Sequence, residues 1–386
     1  MNYEVAVVGL GAIGSATLYQ LAKRGIRAVG IDRYDPPHIM GSSHGESRIT
    51  RLSVGEGANV APLVRRSHAI WRELEAATGQ QLMRQTGGLI LARREVGLHH
   101  GRDNFLSRCI GIAERFGIEH SHLDAEAIAR RFPQFQLQGD ETGLFEPEAG
   151  YLHPERCVAT QLAQAASLGA AIQRNTRVWS VTPLDGAVRI DTDHGIVTAD
   201  RCVVTAGPWV GQLTGPRMKS LTRVHRQALH WYPVEHAGDY DPERFPVFIW
   251  MHGAGPQDYF YGFPQLPGTQ GVKLASEHYI GEDDPDTVSR DVTASESDKI
   301  HRSHVANRLR GLGAHAIRAA ACLYTVTPDH DFIVDWLPET HRVLAVSACS
   351  GHAFKHSAGL GEAIAQTMAD GASEVDLSPF AASRFA

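Results

Sequence analysis

A glycine-rich turn near the start of the chain constrains the fold more than any other feature of the sequence. Residues 4–9 form a short apolar run that is typical of a buried parallel strand. A Gly-x-Gly-x-x-Gly turn occupies residues 9–14, and residues 15–24 then carry apolar side chains at helical spacing. Residues 27–32 form a second short apolar run. This order predicts a βαβ unit, and therefore an α/β fold that contains parallel strands.

Each glycine of this turn has a physical task in binding a dinucleotide. Gly9 permits the tight turn, Gly11 lets the backbone approach a pyrophosphate, and Gly14 allows the helix to pack closely on the strand. The amino terminus of the helix offers unpaired N–H groups to phosphates. Asp32 ends the second strand, where a carboxylate accepts hydrogen bonds from ribose hydroxyls. The fingerprint thus predicts a dinucleotide site, but it does not separate FAD from NAD.

Composition excludes several classes of protein. The 386 residues are 43% hydrophobic and 21% charged with a net charge of −6, which argues against a general nucleic-acid or anionic-membrane binder. Five cysteines lack a CxxC pair and 21 histidines lack a recognisable ligand pattern, so neither a disulfide scaffold nor a metal site is predicted. No apolar run approaches the roughly 18 residues of a membrane span, and no signal peptide precedes the fingerprint. We therefore expect a cytoplasmic enzyme.

The rest of the pattern predicts an interleaved architecture of mixed α/β and α+β character. Helices are expected at 62–77, over most of 96–116, at 153–168, at about 297–311 and from Gly351 to about Asp370. Strands are expected at 87–92, 171–181, 187–191, 195–198 and 201–206, and an antiparallel sheet across 221–280. We predict a discontinuous Rossmann-type nucleotide-binding domain interleaved with an antiparallel-sheet substrate domain. The first comprises residues 1–85, 150–220 and 320–386, and the second 86–149 and 221–319.

Five further motifs, spread over the chain, make the prediction more specific. They are Gly41–Arg51 (GSSHGESRITR), Tyr261-Gly-Phe-Pro, Gly271-Val-Lys-Leu, Ala321–Asp329 (ACLYTVTPD) and Cys349–Lys355 (CSGHAFK). In this order they resemble the glycine/D-amino-acid oxidase-like flavoproteins, in particular the monomeric sarcosine oxidase and N-methyltryptophan oxidase family. The resemblance covers essentially the whole chain. It implies that the dinucleotide is FAD and that the protein is an FAD-dependent amine oxidase.

The resemblance also implies which residues hold the cofactor. A cysteine at the position of Cys322 carries FAD through a thioether to the flavin 8-methyl carbon, whereas Cys349 is taken as structural. Together with the fingerprint, the expected FAD-binding residues are Gly9, Gly11, Ala12, Ile13, Gly14, Asp32, Arg33, Ser42, Ser43, Ser47, Arg48, Val178, Ala206, Gly207, Trp209, Cys322, Gly351, Phe354 and Lys355.

A smaller set of residues is expected to carry the chemistry. By resemblance, Lys273 activates oxygen, because a fixed ammonium stabilises the superoxide anion as it forms. Arg51 and Lys355 hold a substrate carboxylate. The remaining expected residues are Arg48 close to the flavin ring, Tyr261 and Tyr324 in the amine pocket, and His352 with Lys355 in the first turn of a helix that begins at Gly351 and faces the flavin.

The implied reaction is oxidation of a secondary amine that bears a carboxylate, such as sarcosine or another N-methyl amino acid. Hydride passes to the flavin, the imine is hydrolysed to formaldehyde and the amino acid, and molecular oxygen is reduced to hydrogen peroxide. Relatives suggest a monomer. Other possibilities are an oxidase of a cyclic or bulkier amine (pipecolate, a proline-like amine or an N-methyl aromatic amino acid), a dehydrogenase of the same fold with another electron acceptor, and a non-catalytic FAD-binding protein.

One position departs from the family pattern. Four residues after the oxygen-activating lysine, sarcosine oxidases place a histidine in the substrate pocket, whereas this chain has Glu277 followed by His278. Either a shift of one residue restores the histidine, or the pocket is acidic and favours a different or additional cationic group on the substrate.

Overall fold

A computed structural model describes residues 3–93, 97–338 and 340–385. The helices are α1 Ala12–Lys23, α2 Ala61–Thr78, α3 Phe105–Phe116, α4 Ala125–Arg131, α5 Pro154–Ser167, α6 Val210–Leu213, α7 Pro216–Ser220, α8 Ala294–Ile300 and α9 Ser357–Asp370. The strands are β1 Tyr3–Val8, β2 Ala28–Ile31, β3 Arg48–Thr50, β4 Met83–Gln85, β5 Gly88–Arg93, β6 Ser121–Asp124, β7 Glu141–Glu146, β8 Gly150–Leu152, β9 Ala171–Gln173, β10 Val178–Pro183, β11 Val188–Thr192, β12 Gly195–Val204, β13 Arg223–Tyr232, β14 Val247–Met251, β15 Tyr259–Gly262, β16 Val272–Ala275, β17 Arg318–Val326, β18 Ile333–Trp336 and β19 Val343–Ser347.

The first sheet contains the predicted βαβ unit. β1 lies between β12 and β2 and is parallel to both, β9 extends the sheet beyond β2, and β19 pairs in parallel with β12. Residues 5–8 are buried because α1, α5 and α9 pack together on one side of the strands, while a second apolar cluster covers the other side. The prediction of a Rossmann-type unit in a mixed α/β fold is therefore confirmed.

The second sheet has the strand order β17-β13-β16-β15-β14-β5-β7-β6. Its pairs are antiparallel except that β14 runs parallel to β5. β17, which carries Cys322 and Tyr324, pairs along its whole length with β13. Arg48 is the first residue of β3, which belongs to the small sheet β3-β8-β4 and pairs with β8. The exact domain boundaries stay a prediction.

Two helices near the site are shorter than the ranges that the sequence predicted. The helix expected at 96–116 begins only at Phe105 (Val96 lies outside the described residues), because His100, Gly101 and Asn104 have positive φ angles of 48°, 66° and 53° that a right-handed helix does not accept. The preceding loop buries His99 and His100 instead.

The last helix likewise begins later than predicted. Ser350 and Gly351 have φ angles of 42° and 82°, so the chain turns there, forms a short 3₁₀ turn at Phe354–His356 and enters α9 only at Ser357. His352 therefore lies in the turn that precedes the 3₁₀ segment and Lys355 lies within that segment, so neither belongs to the first turn of α9. The helix expected at 297–311 is also shorter: α8 ends at Ile300 and continues as a π-helical turn to Val305.

The contact between α1 and β1 depends on a missing side chain. A Cβ on Gly14 would lie 1.8 Å from the carbonyl oxygen of Gly9 and 2.6 Å from Thr205 Oγ1. Gly9 directly follows β1 and its N–H is hydrogen-bonded to Ile31 of β2, so its carbonyl oxygen cannot yield without a shift of the backbone.

Within the described residues, no helix is long and apolar enough to cross a membrane.

We expect Gly14→Ala to lower the free energy of unfolding by about 1–3 kcal/mol, as an overpacked core does. Gly111→Ala is the matched control, because Gly111 lies within α3 and its Cβ would meet no atom within 4 Å; it should stabilise by about 0.5–1 kcal/mol. Urea unfolding of the two variants measures the difference. Equal midpoints for wild type and Gly14→Ala would contradict the close contact.

Candidate cofactor groove and active site

A groove of about 230 Å³ runs along the carboxyl ends of the parallel strands. Ligands of open α/β sheets bind at this edge, where the strand ends and the amino terminus of the first helix converge. Of the residues expected to hold the cofactor, those that line the groove are Gly9, Gly11, Ala12, Ile13, Asp32, Arg33, Ser42, Ser43, Arg48, Val178, Ala206, Gly207, Trp209, Gly351 and Phe354. Gly14, Ser47, Cys322 and Lys355 are not part of this lining.

The polar groups of the groove suit an elongated polar ligand such as FAD. The N-cap residue of α1, Gly11, makes no side-chain hydrogen bond to the helix. Ser43 Oγ accepts a hydrogen bond from Ala12 N at 3.0 Å. Asp32 is held in place by hydrogen bonds from Leu10 N (2.7 Å) and from Tyr34 N (2.8 Å). Among the described residues, the buried hydroxyls of Thr325 and Ser347 in the groove wall have no hydrogen-bond partner. Buried polar groups normally have one, so a bound ligand is a natural partner.

One edge of the groove is tied to the loop that follows β16. Arg33 forms an ion pair with Asp286, and Trp209 Nε1 donates to the same carboxylate at 3.0 Å. The Arg33 guanidinium also lies over the rings of Tyr34 and Trp209, at 5.3 and 5.6 Å from their centroids. Arg33 is thus already neutralised by the protein.

The two cysteines near the groove differ in position. Cys322 is buried on β17, with its Sγ 3.6 Å from Arg48 Nη2 and 3.7 Å from the carbonyl oxygen of Ser42. Burial raises the pKa of the Cys322 thiol, and the Arg48 guanidinium opposes that shift. Cys349, expected to be structural, is only partly buried and lines the groove itself.

A smaller cavity of about 60 Å³ adjoins the groove. Arg48, Tyr324, Gly351 and Phe354 line both spaces, so they form the boundary between them. The structure brings together in this cavity every residue expected to carry the chemistry, namely Lys273, Arg48, Arg51, Tyr261, Tyr324, His352 and Lys355. Ser47 also lines it.

Arg51 and Lys355 converge on a single carboxylate, which belongs to the protein. Arg51 Nη2 donates to both oxygens of Glu56 at 2.9 Å, and Lys355 Nζ donates to Glu56 Oε1 at 2.9 Å. Although burial raises the pKa of Glu56, the two cations outweigh it and hold that pKa well below its ordinary value. Burial lowers the pKa of Lys355 to about 8 against the opposing effect of Glu56. This is a preformed carboxylate-binding site that an internal carboxylate fills.

Lys273 projects from β16 toward the loop that precedes β3. Its Nζ donates to the carbonyl oxygens of Gly45 (2.7 Å) and Ser47 (2.6 Å) and lies 4.1 Å from the ring centroid of Phe263. Burial and the charge of Arg48 lower the pKa of Lys273 well below its ordinary value. An anion that forms beside Nζ would favour the protonated amine, so this side chain can respond to developing negative charge.

The two expected tyrosines lie side by side. The hydroxyls of Tyr261 and Tyr324 are 3.3 Å apart, and burial raises the pKa of both well above the ordinary value. Both phenols therefore stay neutral. His352 Nε2 contacts the carbonyl oxygen of His330 at 2.8 Å, and burial holds the pKa of His352 well below its ordinary value.

Comparison with known proteins agrees with this geometry. Residues 4–367 match the family described as FAD dependent oxidoreductase. The chain is 32% identical to monomeric sarcosine oxidase of Bacillus sp. (strain B-0618) over 385 residues, covering 99% of this chain and 96% of that protein. It is 34% identical to N-methyl-L-tryptophan oxidase of Yersinia pestis (strain Pestoides F) over 392 residues, covering all of both chains.

The chain belongs to the FAD dependent oxidoreductase family. Among solved structures, NikD, an unusual amino acid oxidase essential for nikkomycin biosynthesis, superimposes with a TM-score of 0.84 at 22% identity and covers 98% of this chain and 97% of its own. Glycine oxidase from Geobacillus kaustophilus gives 0.77 at 20% identity, with 99% of each chain covered. These two likenesses confirm the fold.

Several residues of this oxidoreductase site were not predicted from the sequence. Glu56 stands five residues after Arg51 in an irregular loop, and no periodic pattern connects the two. His99 and His100 are visible in the sequence only as a pair, yet both line the cavity. His100 contacts Glu56 through Nδ1 at 3.3 Å and Glu277 through Nε2 at 3.2 Å.

Among the residues that the structure describes, two groups of histidine and acidic residues lie close enough to share a cation, although the sequence predicted no metal site. They are His99, His100 and Glu277 in the cavity, and Glu114, His120 and His122 near the surface. His100 of the first group also contacts Glu56 of the ion pair through Nδ1 at 3.3 Å. That no metal is needed remains a prediction.

Glu56→Gln should lower the free energy of unfolding by about 3–5 kcal/mol, because it leaves two buried cations without a counter-ion. Acetate should then raise the melting temperature of this variant more than that of wild type. It binds the folded state, in which Arg51 and Lys355 have lost their anionic partner. Glu73→Gln is the control: Glu73 pairs with Lys23 and Arg66 at an exposed site, where an ion pair contributes about 1 kcal/mol or less. Equal acetate effects on wild type and Glu56→Gln would contradict the carboxylate site.

Proposed function

We propose that this chain oxidises the C–N bond of a secondary-amine amino acid, sarcosine or another N-methyl amino acid. Molecular oxygen accepts the electrons and becomes hydrogen peroxide, and hydrolysis of the imine gives formaldehyde and the amino acid. The names of the full-length relatives, which are oxidases of sarcosine and of N-methyl-L-tryptophan, support this substrate class. As part of the same proposal, the enzyme is a cytoplasmic monomer.

The observation that carries the proposal is the convergence of Arg51 and Lys355 on one carboxylate beside the groove. A substrate carboxylate can take the place of Glu56 and receive the same donors, with Arg51 supplying a planar fork and Lys355 a point charge. Glu56 must then move away from Arg51, while its contact with His100 offers it an alternative partner. The carboxylate is thereby fixed at the inner wall of the cavity.

Other residues position the amine and keep water away from it. Arg48, Tyr324, Gly351 and Phe354 separate the cavity from the groove, so an amine between these residues lies next to the bound cofactor. FAD, when bound in the groove, supplies the hydride acceptor. Arg51 and Lys355 are buried in the same cavity, and their charges disfavour the protonated form of the amine, which has no lone pair to release. No separate general base is required for this.

Lys273 serves the oxygen reaction in this proposal. Its Nζ is buried and anchored by two carbonyl oxygens, so the amine is positioned without substrate. Negative charge develops on oxygen as it is reduced; this charge favours the protonated form of Lys273, and the ammonium, whose position is already fixed, stabilises it. A dehydrogenase that passes electrons to a different carrier would not need this side chain.

The test is a comparison of the two half-reactions in wild type and Lys273→Met. Wild type should convert N-methylglycine to equimolar formaldehyde and hydrogen peroxide. The variant should still be reduced by N-methylglycine without oxygen, whereas its reoxidation by oxygen should slow by about 10²–10³-fold, as when one charge-stabilising donor is lost.

Lys273→Gln, which keeps a donor for the two carbonyls, separates loss of charge from disorder of the loop. Equal loss in both half-reactions would contradict the role of Lys273, and reduction without peroxide would favour the dehydrogenase.

We also propose that FAD is attached covalently through Cys322. Arg48 Nη2, 3.6 Å from Sγ, supports the thiolate that such a bond requires. In acid-precipitated protein, the yellow colour should stay in the pellet for wild type and for Cys349→Ser, and should pass to the supernatant for Cys322→Ser. Because Cys349, unlike Cys322, lines the groove itself, the opposite result would transfer the attachment to Cys349.

A further inference from the structure

Arg33 and Trp209 flank the glycine turn at the carboxyl end of β1. β1 pairs with β2 on one side and with β12 on the other. Arg33 follows β2, which ends at Ile31, and Trp209 follows β12, which ends at Val204. Neighbouring strands lie about 4.8 Å apart, so the two segments leave the sheet about 10 Å from each other. Because both residues line the groove, the glycine turn lies between them.

Asp286 connects Arg33 to Trp209 across the groove. Its carboxylate forms an ion pair with the Arg33 guanidinium and accepts a hydrogen bond from Trp209 Nε1 at 3.0 Å. The guanidinium also lies 5.6 Å from the ring centroid of Trp209, within the range of a cation–π contact. These three residues form a bridge, which together with β2, β1 and β12 completes a ring of contacts around the carboxyl end of β1.

The loop that carries Asp286 is fixed to the second sheet on both sides of that residue. Before it, Asp283 N donates to the carbonyl oxygen of Val224 at 2.8 Å, and Asp283 Oδ2 accepts a hydrogen bond from Arg226 N at 2.6 Å. After it, the carbonyl oxygen of Ser289 accepts a hydrogen bond from Arg226 Nε at 2.9 Å. Val224 and Arg226 belong to β13, so the bridge joins the groove of the first sheet to a strand of the second.

The bridge can open without unfolding this loop. The side chains of Arg33 and Asp286 are 29% and 30% exposed, and an ion pair with this access to water is weak and is screened by salt. Trp209 adds one hydrogen bond to the same carboxylate. Because the attachments to β13 use Asp283 and Ser289, the contacts of the bridge can break while the loop keeps its place.

We propose that the bridge gates the entry and release of FAD. This role goes beyond the oxidation proposed above and needs only that FAD binds in the groove. A dinucleotide whose pyrophosphate lies at the glycine turn is enclosed by the ring, so the bridge must open before the cofactor enters or leaves. Opening is required equally in both directions. Breaking the bridge therefore speeds binding and release together and changes the dissociation constant little.

The test uses a background protein in which Cys322 and Cys349 are both replaced by serine, so that neither thiol can hold FAD covalently. The change in flavin fluorescence gives the rate constant of FAD binding to the apoprotein and the rate constant of its release from the holoprotein. Asp286→Ala in this background should raise both rate constants by about tenfold, as expected for the loss of a hydrogen bond to a charged group. The dissociation constant should change by less than about threefold, because both directions share the gate.

Two matched variants and a salt series keep the test decisive. Asp286→Asn keeps the shape of the side chain but removes its charge, so it should raise both rate constants even if Asp286→Ala does not fold. Glu282→Gln removes one charge from the same loop, where Glu282 pairs with Arg223 at exposed side chains, and should leave both rates as in the background. Salt should speed release from the background more than from the Asp286 variants, because only the background has the ion pair to screen.

Two outcomes would overturn the gate. The first is that both Asp286 variants bind and release FAD at the rates of the background. The second is that release alone accelerates, with a matching rise in the dissociation constant, because Asp286 would then be an ordinary binding contact. None of these measurements uses an amine substrate, so a failure of the proposed oxidation would leave the result unaffected.

Discussion

The ion pair of Glu56 with Arg51 and Lys355 is the interaction on which the arrangement of the site depends. Two cations buried without a counter-ion would cost several kcal/mol each, so the carboxylate holds the structure together until another anion replaces it. Through Glu56 the loop after β3 is joined to the 3₁₀ turn before α9, and through His100 it is joined to the loop before α3. A binding site for an external carboxylate is thereby kept assembled by an internal one.

The chemistry is placed where the two large sheets meet. The first sheet supplies the groove, through strand ends and the amino terminus of α1. The second sheet supplies Tyr261 on β15, Lys273 on β16, and Cys322 and Tyr324 on β17. Lys273 reaches across and donates to carbonyl oxygens of residues 45 and 47, next to the strand that carries Arg48. This contact makes the position of the lysine depend on the cofactor side of the molecule.

Charge divides the cavity into two ends. Arg51 and Lys355 make one end attractive to an anion, and Glu277 makes the other attractive to a hydrogen-bond donor. The full-length relatives act on sarcosine and on N-methyl-L-tryptophan by name, so the family context does not fix the side chain.

The sequence by itself determined the βαβ unit, the mixed α/β fold, the dinucleotide groove and the family, because these depend on short-range patterns: a glycine spacing, a strand beside a helix, and motifs in a fixed order. All seven side chains that the sequence predicted to carry the chemistry line the cavity. Only the tertiary structure decided what those side chains contact. Glu56 and Lys355 are 299 residues apart in the chain, and His100 and Glu277 are 177 apart, so no local pattern records either pair. The start of α9 at Ser357 and not at Gly351 likewise follows from backbone angles in a turn packed against Glu277 and His100, which the sequence around Gly351 does not specify.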